Sequence, residues 1–210
     1  IGLMPKLSEL HLEGTAIKEL PESIINLSGL ESINLSNCKD LESITYSICG
    51  LRCLRTLNLS SCSKLETLPE TLGQLETLEE LLVDGTAIIK LPSTISEMKN
   101  LKILSFSGCR KKKKDKAFWT NSFSFHLNLK LTSLPNIRRI TRRSNTARNK
   151  KPEVSRPSLS RLCVLKKLDL SDSDLVDEIA ADIWQLSSLE ELSLSRNNFT
   201  EFPSRISGLV

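Results

Sequence analysis

Aromatic and histidine side chains are scarce in this sequence. Phenylalanine, tryptophan and tyrosine together make up 4% of its 210 residues, so a folded core must come from many small aliphatic contacts. The two histidines are His11 and His126. Acid–base, nucleophilic and metal chemistry therefore lack their usual ingredients, and we expect no enzyme activity, no catalytic residue, no metal and no cofactor.

Long apolar runs, paired cysteine motifs and a phosphate-binding loop are also missing. No stretch approaches the roughly 18 apolar residues of a membrane-spanning helix, so a membrane partner is not expected. No G-x-x-x-x-G-K-[ST] motif is present. Cys49 and Cys53 lie four residues apart without a second pair, which argues against a zinc site. Six dispersed cysteines suit a reducing compartment.

Leucine, by contrast, is abundant and regularly spaced. The pattern L-x-x-L-x-L occurs seven times, with spacings of 23, 24, 24, 23, 64 and 24 residues between first positions at Leu7, Leu30, Leu54, Leu78, Leu101, Leu165 and Leu189. Alternation within L-x-L puts the apolar side chains on one side of a short strand. One repeat cannot bury that side alone, so neighbouring repeats must stack against it. The predicted fold is an α/β leucine-rich-repeat solenoid, a curved arc with a parallel sheet on its concave face.

Two further columns repeat with the leucines. A small polar residue follows each strand and is predicted to bond backbone groups inside the stack, which makes its three cysteines structural: Thr15, Cys38, Cys62, Thr86, Cys109, Ser173 and Asn197. An apolar-Pro phrase comes next, at Leu20-Pro21, Leu68-Pro69, Leu91-Pro92 and Phe202-Pro203. Because proline disfavours a regular helix, the convex side should be irregular or built from short 3₁₀ segments.

The 64-residue spacing marks an insertion of different composition. Residues 110–157 hold fifteen Lys or Arg and two acidic residues, a net charge of +13, whereas the rest of the chain has a net charge of −9. We predict repeats one to five over 1–109 with the fifth incomplete, a basic and largely irregular insertion over 110–157, and the end of repeat five with repeats six and seven over 158–210. The strands at Leu104 and Leu168 should therefore be neighbours.

The insertion leaves several interpretations open. Residues 123–131 alternate apolar and polar side chains, as a half-buried strand does. Residues 138–156 are rich in Arg, Ser and Asn, without periodicity, and should be solvated. The basic side chains could keep the insertion soluble, dock on the acidic array, act as a nuclear-import signal or contact nucleic acid.

Solvent-facing strand positions form the candidate partner-binding surface. It is mostly small and polar, with acidic clusters in repeats one, four and seven. Leu82 and Ile103 are apolar where polar residues are usual, and we predict that they lie side by side. They are candidate anchors for a partner, with two isolated surface aliphatic side chains, or a patch that the insertion covers, as the alternatives. The candidate residues of this surface are Glu9, His11, Glu80, Leu82, Asp84, Ile103, Lys167, Asp169 and Glu191.

Two phrases with a shared Gly-Thr-Ala-Ile core carry a family resemblance: Leu12-Glu-Gly-Thr15-Ala-Ile17-Lys-Glu-Leu20-Pro21 and Val83-Asp-Gly-Thr86-Ala-Ile88-Ile-Lys-Leu91-Pro92. They resemble a repeat of plant intracellular immune receptors, the nucleotide-binding leucine-rich-repeat proteins of the Toll/interleukin-receptor subclass. Leu35-Ser-Asn-Cys38 and Leu59-Ser-Ser-Cys62 are similar to the cysteine-type repeat of that family.

The resemblance implies a role in recognition. The repeat region would bind a pathogen effector or a guarded host protein and restrain the receptor's nucleotide-binding domain, in the cytoplasm and, with nuclear import, in the nucleus. Any enzymatic activity would belong to domains N-terminal to Ile1, since the chain is expected to be cut from a longer array. The glycosylation sequons at Asn26, Asn34, Asn58 and Asn198 leave an extracellular receptor ectodomain as an alternative, and the basic insertion leaves a nucleic-acid-contacting module as another.

Overall fold

A computed structural model describes residues 4, 6–88, 91–109, 159–175 and 181–200. Seven three-residue strands form one parallel sheet in chain order: β1 (Glu9–His11), β2 (Ser32–Asn34), β3 (Thr56–Asn58), β4 (Glu80–Leu82), β5 (Ile103–Ser105), β6 (Lys167–Asp169) and β7 (Glu191–Ser193). Each strand covers the third to fifth positions of an L-x-x-L-x-L match. Neighbouring strands pair in register, first residue with first residue, and this confirms the predicted repeat fold.

Alternation along each strand separates core from solvent. The middle residue of β2 through β6 is buried, whereas both flanking residues are partly or fully exposed on the opposite face. Leu57, for example, is completely buried between Ile33 and Leu81, which are level with it on the adjoining strands. Burial of one such side chain contributes about 1.5–3 kcal/mol, so stability is distributed over many equivalent positions.

Short 3₁₀ segments form the convex side, as the sequence predicts. They span Glu22–Asn26, Tyr46–Gly50, Glu70–Gln74, Ser93–Glu97, Leu159–Arg161 and Ala181–Gln185. Pro21, Pro69 and Pro92 precede three of them with φ of −70°, −63° and −60°, close to the angle that the proline ring fixes. Where repeat two lacks this proline, the hydroxyl of Thr45 accepts a hydrogen bond from the amide of Ser47.

Most members of the polar column tie a repeat to the one before it, whereas the Thr86 hydroxyl donates to the carbonyl of Val83 in its own repeat at 2.8 Å. The thiols of Cys38, Cys62 and Cys109 donate to the carbonyls of Leu12, Leu35 and Val83 at 3.0, 3.2 and 3.2 Å. Burial raises the pKa of the Cys62 and Cys109 thiols to about 11, so both remain protonated donors at neutral pH. Their predicted structural role is confirmed by these contacts.

A left-handed backbone position follows each strand, four residues after the strand's middle residue. Seven residues there have φ between 52° and 69°: Gly14, Asn37, Ser61, Gly85, Gly108, Asp172 and Arg196. In all but the last, the amide donates to a carbonyl of the following repeat, as that of Ser61 does to Asp84. Glycine adopts this conformation without steric cost, whereas Ser61 and Arg196 do not. This column is not apparent from the sequence, because its residue types are not uniform.

The array continues across the insertion. Leu104 of β5 is level with Leu168 of β6, as predicted, and the hydroxyl of Ser173 donates to the carbonyl of Phe106 at 3.0 Å. The limits of the insertion remain a prediction. Its alternating segment 123–131, its basic side chains and the apolar-Pro phrase at Phe202 lie outside the described residues.

The column can be tested at Cys62. Cys62→Ala leaves the buried carbonyl of Leu35 without this donor, and should lower the free energy of unfolding by about 1–2 kcal/mol. Cys62→Ser keeps a donor, as Ser173 does in repeat six, and should lose less than half as much. Urea unfolding followed by circular dichroism measures both, with exposed Cys53→Ala as the unchanged control. Equal stability of the Ala and Ser variants contradicts a donor role for this column.

Candidate partner-binding face

Three rows of side chains make up the solvent-facing side of the sheet, called here the concave face. The first row is Glu9, Ser32, Thr56, Glu80, Ile103, Lys167 and Glu191. The second row consists of the third residue of each strand: His11, Asn34, Asn58, Leu82, Ser105, Asp169 and Ser193. The third, two residues beyond each strand, is the exit row, in which only Ser171 is buried: Glu13, Ser36, Ser60, Asp84, Ser107, Ser171 and Ser195.

The nine predicted site residues all lie in these rows, spread over repeats one, four, five, six and seven. The structure therefore places them on one face, but not in one cluster. Their participation in binding remains a prediction.

The predicted placement of the two apolar side chains needs a correction. Leu82 and Ile103 are on adjacent strands, but Leu82 is level with Ser105, and Ile103 is level with Glu80. Leu82 ends β4, whereas Ile103 begins β5, so in-register pairing makes them diagonal neighbours, with Cα atoms about 8 Å apart. Both are half-buried. The apolar area is consequently an oblique stripe that has Glu80 on its flank.

Repeat one carries a polar cluster centred on His11. Its Nε2 lies 3.3 Å from Oε2 of Glu9, and its Nδ1 lies 3.5 Å from Oε1 of Glu13. The same Glu13 oxygen accepts a hydrogen bond from Nδ2 of Asn34 at 3.1 Å. The cluster is exposed to solvent, and the described part of the chain contains no group of three or more side chains suited to hold a metal ion.

Asp84 is committed to bonds within the array. Its Oδ1 accepts from the hydroxyl of Ser105 at 2.5 Å and from the amide of Ser107 at 2.8 Å, and its Oδ2 accepts from the hydroxyl of Ser60 at 3.5 Å. The carboxylate thus links three repeats. A partner would meet the hydroxyl-covered edge of this network and not a free acid.

Ion pairs between neighbouring repeats were not anticipated from the sequence. Arg55, Glu79 and Lys102 each lie directly before a strand, in neighbouring repeats. The Glu79 carboxylate accepts hydrogen bonds from Arg55 and from Lys102, each at 2.6 Å. The hydrogen bond from Lys102 is the largest cause that holds the pKa of Glu79 below its ordinary value. On the concave face itself, Lys167 lies 2.8 Å from Glu191, which raises the pKa of that lysine. Both sets of ion pairs become visible in the sequence when the repeats are aligned in register.

Two of the candidate glycosylation asparagines lie at the centre of the concave face. Asn34 and Asn58 are half-buried, and their Oδ1 atoms accept from the amides of Ser36 and Ser60, each at 3.0 Å. A glycan on Asn34 would displace the bond that its Nδ2 makes to Glu13. Within the described ranges, none of the helices has the length and apolar character that a membrane span requires.

Family comparison agrees with the repeat geometry. A leucine-rich-repeat model matches residues 5–63, and a second one matches residues 53–75 and 188–209. Together with the seven-stranded parallel sheet, these matches show that the fold is a leucine-rich-repeat solenoid. Among solved structures, the fold is similar to TLR13 in its complex with ssRNA13, with a TM-score of 0.66 at 20% identity over 98% of this chain and 24% of that one. Internalin C2 of Listeria monocytogenes gives 0.58 at 17% identity over 99% and 79%.

Plant proteins are similar in sequence over nearly the whole chain. TMV resistance protein N of Nicotiana glutinosa is 32% identical over 99% of this chain, and disease resistance-like protein DSC1 of Arabidopsis thaliana is 34% identical over 95%. These relatives confirm the resemblance to plant disease resistance proteins. The chain spans 15% and 13% of their lengths, about a seventh.

The Asp84 network yields a test of what shapes this face. Asp84→Ala removes the acceptor for three donors in neighbouring repeats and should lower the free energy of unfolding by about 1–3 kcal/mol. Asp84→Asn keeps Oδ1 as an acceptor and should lose less. Urea titration measures both, with Glu76→Ala as the surface control. The network has no structural role if Asp84→Ala unfolds at the same urea concentration as this control.

Proposed function

We propose that this chain is the recognition region of an intracellular plant immune receptor. Its concave face binds a protein, either a pathogen effector or a guarded host protein, and the same region restrains the receptor's nucleotide-binding switch. The observation that carries the binding role is the continuous in-register sheet, which presents three rows of side chains to solvent. The role in immunity rests on the sequence similarity to plant disease resistance proteins.

The composition of the face suits a protein partner. Small hydroxyl and amide side chains predominate, so the surface is shallow and offers many hydrogen-bonding groups. The oblique stripe of Leu82 and Ile103 adds apolar area near the middle of that surface. Apolar contacts at the centre of an interface, surrounded by polar groups, are where binding energy concentrates. The chain acts in this proposal as a binding module without an enzymatic step of its own.

The cytoplasm is the proposed location, with nuclear import through the basic insertion as a further element. All six cysteines lie among the described residues and are free thiols, as a reducing compartment favours. The use of Asn34 and Asn58 in bonds on the concave face argues in the same direction, because glycans there would cover the proposed binding surface.

The proposal predicts that binding depends on the concave stripe. A photo-crosslinking amino acid at Thr56 should capture, from pathogen-inoculated plant tissue, a protein that the same group placed at Tyr46 on the convex side does not capture. With that purified protein, Leu82→Ser combined with Ile103→Ser should weaken affinity about tenfold or more, because two apolar contacts are lost.

The matched control replaces two exposed apolar residues of the convex side, Ile25→Ser with Tyr46→Ser, which are 46% and 66% exposed. This pair should leave the affinity unchanged. Affinity that is the same for the concave pair as for the wild type, on protein with an unaltered circular dichroism spectrum, would show that the proposed face does not bind.

A further inference from the structure

Glu80 is exceptional among the charged residues around the oblique stripe. The comparison covers the residues of strands β4 to β7 and the one residue directly before each strand, all of them described. Every other charged side chain in this set has an ion pair or a hydrogen bond, whereas Glu80 has neither. The two nearest cations by register, Arg55 and Lys102, both bind Glu79, the residue before it. Glu80 is nevertheless only partly exposed.

The surroundings of this carboxylate are apolar on two sides. Ile103 is level with Glu80 on β5, at the strand spacing of about 4.8 Å, and Leu82 is the next side chain on the same face of β4. On the other side, Thr56 is level with it on β3, and its hydroxyl has no hydrogen bond among the described residues. A half-buried carboxylate therefore sits beside two aliphatic side chains and an available hydroxyl acceptor.

We propose that Glu80 receives an arginine side chain of the partner protein, an inference that rests on the proposed function and specifies its contact chemistry. The guanidinium bonds the carboxylate through two parallel N–H groups and has a further N–H for the hydroxyl of Thr56. Its flat faces and methylene stem lie against Ile103 and Leu82. Arginine is weakly hydrated and tolerates this partly apolar setting, whereas lysine keeps its water more strongly.

The charge of the repeats themselves favours the same partner, although the whole chain has a net charge of +4. Outside residues 110–157 the chain carries a net charge of −9, and the concave face has carboxylates on both sides of its neutral second and third repeats. Such a field attracts a cationic surface and speeds its encounter. The neighbouring pairs Lys167–Glu191 and Lys166–Glu190 are internally neutral, so the arginine is directed to the unpaired acid in repeat four.

The test uses three short peptides with the 210-residue chain labelled with ¹⁵N. Acetyl-Gly-Arg-Gly-amide should produce saturable shifts of the amide signals of Glu80, Leu82 and Ile103. The citrulline peptide, which has the same shape without the charge, should produce none, and the lysine peptide should bind at least threefold more weakly. Glu80→Gln should abolish the response to arginine. Glu97→Gln, the same change on the exposed convex side of repeat four, should not alter it.

Equal responses to arginine, lysine and citrulline contradict the proposal, and so does unchanged arginine binding by Glu80→Gln. Either result leaves the recognition role standing if the captured protein still depends on Leu82 and Ile103. The converse result is arginine-specific shifts at Glu80 with a partner affinity that Leu82→Ser and Ile103→Ser leave unchanged. It would count against the recognition role of the face, while the arginine-binding chemistry of Glu80 would hold.

Discussion

The hydrogen bond from one repeat's polar column to the strand-end carbonyl of the repeat before it forms at five of the six repeat junctions and is central to this structure. Cys38, Cys62, Cys109, Ser173 and Asn197 each make it, although their side chains differ in size and chemistry. Each such buried bond adds about 0.5–1.5 kcal/mol to stability, beside the bonds that the carbonyls of Leu12, Leu35 and Val83 also accept within their own repeats. Where it forms, this bond joins equivalent positions and so supports the register that the backbone bonds between strands set, and the leucines stack as a consequence. At the junction of repeats three and four the register rests on backbone bonds, because Thr86 donates within its own repeat.

Register also determines the chemistry of the exposed face. Once first residues are level with first residues, Lys167 meets Glu191, and Asp84 meets the serines of repeats three and five. The same rule leaves Glu80 between Thr56 and Ile103, with no cation paired to it among the described residues. A surface of this kind is preorganised, since its side chains are already held by neighbours before a partner arrives, and less ordering is needed on binding.

Much of the fold could be predicted because the same spacing of apolar residues, with the same need for burial, recurs seven times. Alternation around Leu57 or Leu104 predicts a strand, and proline after Leu68 predicts the irregular convex turn. The left-handed position occupied by Ser61 and Arg196 was missed, because neither residue type signals it. The diagonal offset of Leu82 and Ile103 was missed for another reason: it depends on strand limits that periodicity locates only approximately.

The central claim is that one register runs through all seven strands, including the junction where the chain leaves repeat five and returns. Native-state amide hydrogen exchange tests it directly, because the amides of Phe106 and Gly108 donate to the carbonyls of Asp169 and Ser171 across that junction. Their protection should lie within about tenfold of that of Val83 and Gly85, which make the equivalent bonds one repeat earlier. Exchange of Phe106 and Gly108 at unprotected rates, with Val83 and Gly85 still protected, would mean that the sheet breaks at repeat five.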